Sequence, residues 1–292
     1  MATGVWTTTI ADKHIGEVWP GAVIRAQEFN IVWADKVYRK WKFAGHGDVY
    51  HFPRVANIET TTKTGGSDWA PYNYTDTEQT ITINVHQVTG IEVEDITKVL
   101  NNTDVEMEYR RKMGYSLARA LDVNLATLPA SFSQNVGTLG VELTYDNLIR
   151  AWRYLADAGI DTNNDTSLIM SPAAIAGLLK SDIFISSLYQ GPNPRMVESN
   201  KMGAFRGMDI IMSNLTRAPS AGQSESAMFF RNAIGLITAQ TPKVVTEYKA
   251  LSLAMIIGSH QIYGYGEIDR YSETPGNITA TDEWAVLLKT IG

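Results

Sequence analysis

The chain lacks cysteine altogether. Disulfides, thiolate nucleophiles and cysteine-bound metals are excluded with it. Histidine is scarce: His14, His46, His51, His86 and His260 are dispersed, with no His-Glu-x-x-His pair and no zinc spacing. There is no Gly-x-Ser-x-Gly elbow and no phosphate loop closing on Gly-Lys-Ser/Thr. No stretch reaches the roughly 18 consecutive apolar residues of a membrane span. Met1–Thr9 carries neither the basic patch nor the apolar run of a secretory signal, so a cytoplasmic origin is expected. Positive charge is also in deficit. The 25 Lys and Arg face 31 Asp and Glu for a net charge of −6, which speaks against nucleic-acid binding through a basic surface.

What remains is globular material. Of 292 residues, 44% are apolar and 19% charged, enough for one large domain or two modest ones with a real core. Asp161-Thr162-Asn163-Asn164-Asp165 begins like a calcium loop, but Thr166 stands where the sharp turn needs glycine and Pro172 where the last carboxylate belongs. It reads as a polar turn. Arg110-Arg111-Lys112 is the densest basic cluster, and the acids before it make it a solvated helix face.

Several elements follow from local pattern. Ala22–Trp41 reads as a helix with imperfect apolar spacing, ended by Gly45-His46-Gly47. Glu78–His86 alternates strictly and places Ile81, Ile83 and Val85 on one face of a strand. Asp48–Val55 is a weaker strand, confined to an edge because Pro53 cannot donate to a ladder. The polar stretch between them carries Gly65-Gly66, Trp69, Tyr72 and Tyr74, so 48–90 reads as a long hairpin with a broad tip. Each side could reach about 50 Å at about 3.3 Å per residue. An isolated two-stranded hairpin is marginal in water. Its apolar face must therefore lie on its own body or on another subunit. Lys63, Trp69, Tyr72, Tyr74, Ile81, Ile83 and Val85 are the candidate subunit contacts, aromatics being enriched in such places.

A long helix is expected over 104–128. Thr103 and Glu106 form a capping box, Met113, Leu117, Ala120, Leu121, Asn124, Leu125 and Leu128 form a stripe, and Pro129 stops it. Mixed α and β follows. Thr144 caps a helix closed by Gly159, Leu168-Ile169-Met170 reads as a buried strand, and Ser171-Pro172 opens a helix through Leu179. Short strands are expected at 210–212 and 228–230, and longer ones at 243–248 and 253–263. Gly264 and Gly266 read as strand bends, and the last 20 residues give little signal.

In the run Gly47-Asp48-Val49-Tyr50-His51-Phe52-Pro53-Arg54, the helix segment Tyr109–Ala118 and the order of parts, the chain resembles the major capsid proteins of tailed bacteriophages. The resemblance covers nearly the whole chain and implies an α+β architecture, the HK97-like (Hong Kong 97-type) capsid fold. It implies an N-terminal arm at 1–47, an extended hairpin at 48–90, a peripheral domain at 91–130 and 240–272 with the spine helix 104–128, and an axial domain at 131–239 and 273–292. It further implies a virion shell protein made in the host cytoplasm, with no catalytic residue, cofactor, metal or membrane. Its partners would be its own copies in pentamers and hexamers, scaffolding, portal and decoration proteins, and packaged DNA held weakly and without sequence preference. No long leading segment of the built-in scaffold kind is seen, which leaves scaffolding to a separate protein. Some relatives weld their shells through a hairpin lysine, and Lys63 is the only lysine here, though a structural role suits it better. Two alternatives stay open: an encapsulin-like nanocompartment shell, and a monomeric carbohydrate-binding protein using Trp69 and Tyr72.

Overall fold

The computed structural model describes residues 31–41, 47–55, 60–69, 76–96, 105–162, 165–180, 204–271, 280–281 and 283–292. In chain order its strands are β1 Tyr38–Trp41, β2 Val49–Arg54, β3 Thr77–Thr82, β4 Val85–Glu94, β5 Gln134–Gly137, β6 Thr166–Met170, β7 Ala204–Phe205, β8 Met208–Met212, β9 Gln223–Phe230, β10 Ile234–Lys249, β11 Ala254–Glu267, β12 Arg270–Tyr271, β13 Ala280–Thr281 and β14 Ala285–Ile291.

The spine helix is observed as Val105–Leu125, 21 residues or about 31 Å. Met113, Leu117 and Leu125 are buried, with Leu121 and Leu128 packed alongside. A 3-10 turn, Leu128–Ser131, takes over at Pro129. Thr103, and with it the capping box, lies outside the described residues. Glu108 pairs with Arg111 one turn on, at 2.9 Å. Gly114 is exposed mid-helix, and a Cβ added there would meet nothing within 4 Å. Gly114→Ala should therefore raise stability by about 0.5–1 kcal/mol, read as a higher Tm.

The helix packs against a four-stranded sheet ordered β1-β10-β11-β4, parallel between β1 and β10 and antiparallel elsewhere. Two expectations are corrected here. Of the helix expected over Ala22–Trp41, residues 22–30 lie outside the described set, and only Trp33–Lys36 is helical. Val37 is extended and the chain continues as β1, where pairing with Gly235–Thr238 takes up its backbone groups. The alternating run Glu78–His86 is also two strands rather than one. β3 ends at Thr82 in a two-stranded sheet with β2, and β4 begins at Val85 in the four-stranded sheet and runs unbroken past residue 90. The hairpin sheet thus stops at Thr82. Its ladder holds six residue pairs, with Pro53 opposite Glu78.

The second large sheet has six strands, ordered β5-β14-β9-β6-β8-β7. Alternation splits its side chains between two cores. Leu168, Met170, Met228, Val286 and Leu288 pack with the helices Tyr145–Asp157 and Pro172–Leu179. Ile169, Ala227, Phe229, Ala285 and Leu287 pack with Trp33, Leu125, Leu236 and Tyr263. The helix caps are as expected: Thr144 accepts from the Asn147 amide, Ser171 accepts from the Ala174 amide, and Gly159 takes the left-handed conformation at φ 74°. The C-terminal stretch is a correction. Residues 285–291 are a strand between β5 and β9, hidden in the sequence because a strand covered on both faces shows no alternation.

Candidate functional site

The hairpin begins on its own body. Ile81 is 3% exposed, in a small core with Ile237 and Ile268, while Tyr50, Phe52, Ile83 and Trp284 pack around it. Tyr50 and Phe52 meet edge to face at 4.8 Å, and Arg54 lies 5.2 Å over the Trp284 ring. Gln79 donates to Asp269 at 2.8 Å, and the Ile83 amide donates to the Asp48 carbonyl at 2.6 Å. Glycine makes the contact possible. Gly235 and Gly266 face each other across β10 and β11. Added Cβ atoms would stand 2.6 Å and 3.3 Å from the Ile81 side chain. At Gly264 a Cβ would stand 2.4 Å from the Thr82 carbonyl oxygen and 2.9 Å from the Ile83 Cα. Gly264 and Gly266 are thus a seat over which the hairpin strand crosses, which replaces their reading as strand bends.

The segment before β1 is fastened beneath the same region. Asp122, on the spine helix and 0% exposed, accepts three backbone N–H bonds. Its Oδ2 takes those of Val32 at 2.7 Å and Trp33 at 3.1 Å, and Oδ1 takes that of Ala34 at 3.0 Å. Trp33 then stacks on Phe229 with ring centroids 5.8 Å apart. Burial pushes the Asp122 pKa up and outweighs the three amides, which pull it down. Within the expected arm, Trp33, Ala34 and Val37 are therefore core residues. Asp122 escaped notice in the sequence, although a carboxylate beside Leu121 and Leu125 on the apolar stripe is the signal that could have found it.

The contact residues expected from the sequence separate into two groups. Ile81 is a correction: covered by its own chain, it has almost no surface to offer a neighbour. Ile83 and Val85 are half-buried against their own cores. Residues 60–69 are all exposed, including Lys63. Trp69 is 62% exposed, and its indole N–H donates to the Thr61 hydroxyl at 3.2 Å across a turn in which the Ser67 amide reaches the Thr64 carbonyl. Tyr72 and Tyr74 lie outside the described residues. The two partners weighed for the hairpin thus divide along its length: the base is covered by the chain itself, and the described tip is not.

Three concavities are lined by described residues. One of 250 Å³ sits beside the hairpin base between Tyr38, Phe52 and Asn232. Another of 460 Å³ runs along the spine helix between Gln87, Lys112, Arg119 and Val123. Asp35, Asp165 and Asp209 line a polar one of 230 Å³, where Lys36 pairs with Asp209 at 3.7 Å and Arg231 with Asp165 at 3.8 Å. His51 pairs with Glu78 at 3.1 Å, and His86 meets His260 edge to face at 5.5 Å, while His46 lies outside the described residues. Among the described residues no three histidines or carboxylates come together as a metal set.

No family model and no curated protein matches the chain by sequence. Solved structures do match in shape. A structure from Mycobacterium phage Che8 aligns over 94% of this chain and 96% of its own, with TM-score 0.77 and 18% identity. The capsid structure of cyanophage P-SCSP1u aligns over 99% and 95%, with TM-score 0.78 and 17% identity. The head structure of Helicobacter pylori bacteriophage KHP40 aligns over 95% and 96%, with TM-score 0.74 and 12% identity. At such identities what is shared is the fold: an α+β chain with the HK97-like architecture of phage capsids.

Proposed function

We propose that this chain is a major capsid protein that assembles with its own copies into the icosahedral shell of a tailed phage. The observation that carries the reading is the alignment of capsid structures over nearly the whole chain, joined to a hairpin whose described tip is exposed. On this reading the hairpin lies over a neighbouring copy, the four-stranded sheet and spine helix form the peripheral domain, and the six-stranded sheet forms the axial domain that meets around five- and six-fold positions. The shell has a structural role without chemistry of its own. Scaffolding, portal and decoration proteins are its further partners, packaged DNA is its content, and assembly takes place in the host cytoplasm.

Expression of the chain with its genomic neighbours, followed by sedimentation and electron microscopy, tests this. Closed shells of uniform size holding nuclease-protected DNA are expected. Soluble monomers at every concentration would overturn it, and shells filled with a protein cargo would instead identify a nanocompartment. Trp69→Ala should leave the unfolding free energy of the free chain within about 0.5 kcal/mol of the parent, as for exposed side chains generally, yet lower the yield of shells.

A further inference from the structure

Strand β10 is 16 residues long, but β1 covers only its first part, with the register ending at Trp41 opposite Thr238. Two irregularities in the ladder with β11, between Thr238 and Gln240 and between Gln240 and Lys243, separate the covered part from the rest. Beyond them, among the described residues, Lys243–Lys249 pairs with β11 on one side and with no strand on the other. All seven residues are exposed, including Val244 at 50% and Val245 at 45%. A bare edge of this kind is a template for another strand.

The charges on the edge point to the occupant. Tyr248 donates to Asp95 at 2.7 Å and Lys249 pairs with Glu92 at 3.2 Å, so both are satisfied within the chain. The side chains of Lys243 and Glu247 have no hydrogen-bond or ion-pair partner among the described residues. They lie on the same face of the strand as Val245, two positions to either side of it. We propose that the edge Lys243–Glu247 pairs antiparallel with the same edge of a second copy, about a two-fold axis through Val245. In that register Val245 faces the partner's Val245, and Val244 faces its Thr246. Lys243 faces Glu247 at both ends, so each unpaired charge gains an opposite one. Shifting the register by two residues would instead set Lys243 against Lys249. Pro242, which has no N–H to give, bounds the ladder. A five-residue pairing is weak alone and suits a contact repeated many times over a shell. It rests on the self-assembly reading and names one of its contacts.

The absence of cysteine makes the test clean. Val245→Cys and Val244→Cys chains are assembled, oxidised and run on non-reducing gels. Directly opposed residues have Cα atoms about 4.5–5.5 Å apart, within disulfide reach, whereas two copies of residue 244 would be about 8 Å apart in this register. A covalent dimer is expected at 245 and not at 244. Lys243→Glu or Glu247→Lys, added singly to the Val245→Cys chain, should lower the dimer yield about three- to fivefold. Mixing the two single variants, which restores an opposite pair at both ends, should recover it. Shells without the 245 dimer, or with equal dimer at 244 and 245, overturn the pairing and leave the shell reading standing. Loss of shells from the parent chain itself strikes the shell reading instead. Where a cysteine variant forms no shells, oxidation of the concentrated free chain decides, with the 245 dimer again required.

Discussion

Gly264→Val is expected to unseat the hairpin and abolish shell formation. The atoms that a Cβ would strike are the Thr82 carbonyl at 2.4 Å and the Ile83 Cα at 2.9 Å, both backbone, so no side chain can swing aside. Overpacking of this kind costs about 1–3 kcal/mol even where neighbours can yield, and valine adds two methyl groups to the strike. Movement of β3 away from β11 would also open the core around Ile81, Ile237 and Ile268. Thermal unfolding and sedimentation should show a lower Tm and no closed shells, with Gly264→Ala a milder case in the same direction. Shells of normal yield from Gly264→Val would show that the crossing at β11 does not set the hairpin's course.

Asp122→Ala is expected to destabilise the chain by about 3–5 kcal/mol, on the order of 10 °C in Tm. It removes the acceptor of three backbone N–H groups, two of them in bonds wholly buried, and leaves Trp33 without the bonds that fix its backbone. The pH dependence has a definite sign. Burial raises the folded-state pKa of Asp122 above its ordinary 3.8, so the folded chain holds this proton more tightly than the unfolded one. The stability contributed by the group is therefore complete below 3.8 and is lost as pH rises through the raised value. The Tm gap between parent and Asp122→Ala should accordingly be wider near about pH 3 than near about pH 7. A gap that widens with rising pH would mean that the three amides outweigh burial.

The sequence was most readable where a local rule acts alone. Thr144, Gly159 and Ser171-Pro172 mark helix ends through their own backbone chemistry, and each stands where its residue type requires. The spine helix was readable because its stripe repeats over several turns. What escaped was set by contacts between distant segments. Nothing near Gly264 says that Thr82 will cross it, and nothing near Trp33 says that a carboxylate about 90 positions later will take its amide. Residues 285–291 escaped for a different reason, since burial on both faces removes the alternation that betrays a strand. For the hairpin the apolar face was readable but its cover was not. Ile81 is covered by its own chain, whereas Trp69 is not.

The measurement that bears most directly on this account is an electron cryomicroscopy reconstruction of assembled particles at side-chain resolution. It should show residues 60–69 lying on an adjacent copy, with the Trp69 indole, 62% exposed in the single chain, buried in that contact. Particles in which this tip stays in solvent, or a chain that never leaves the monomeric state, would contradict it.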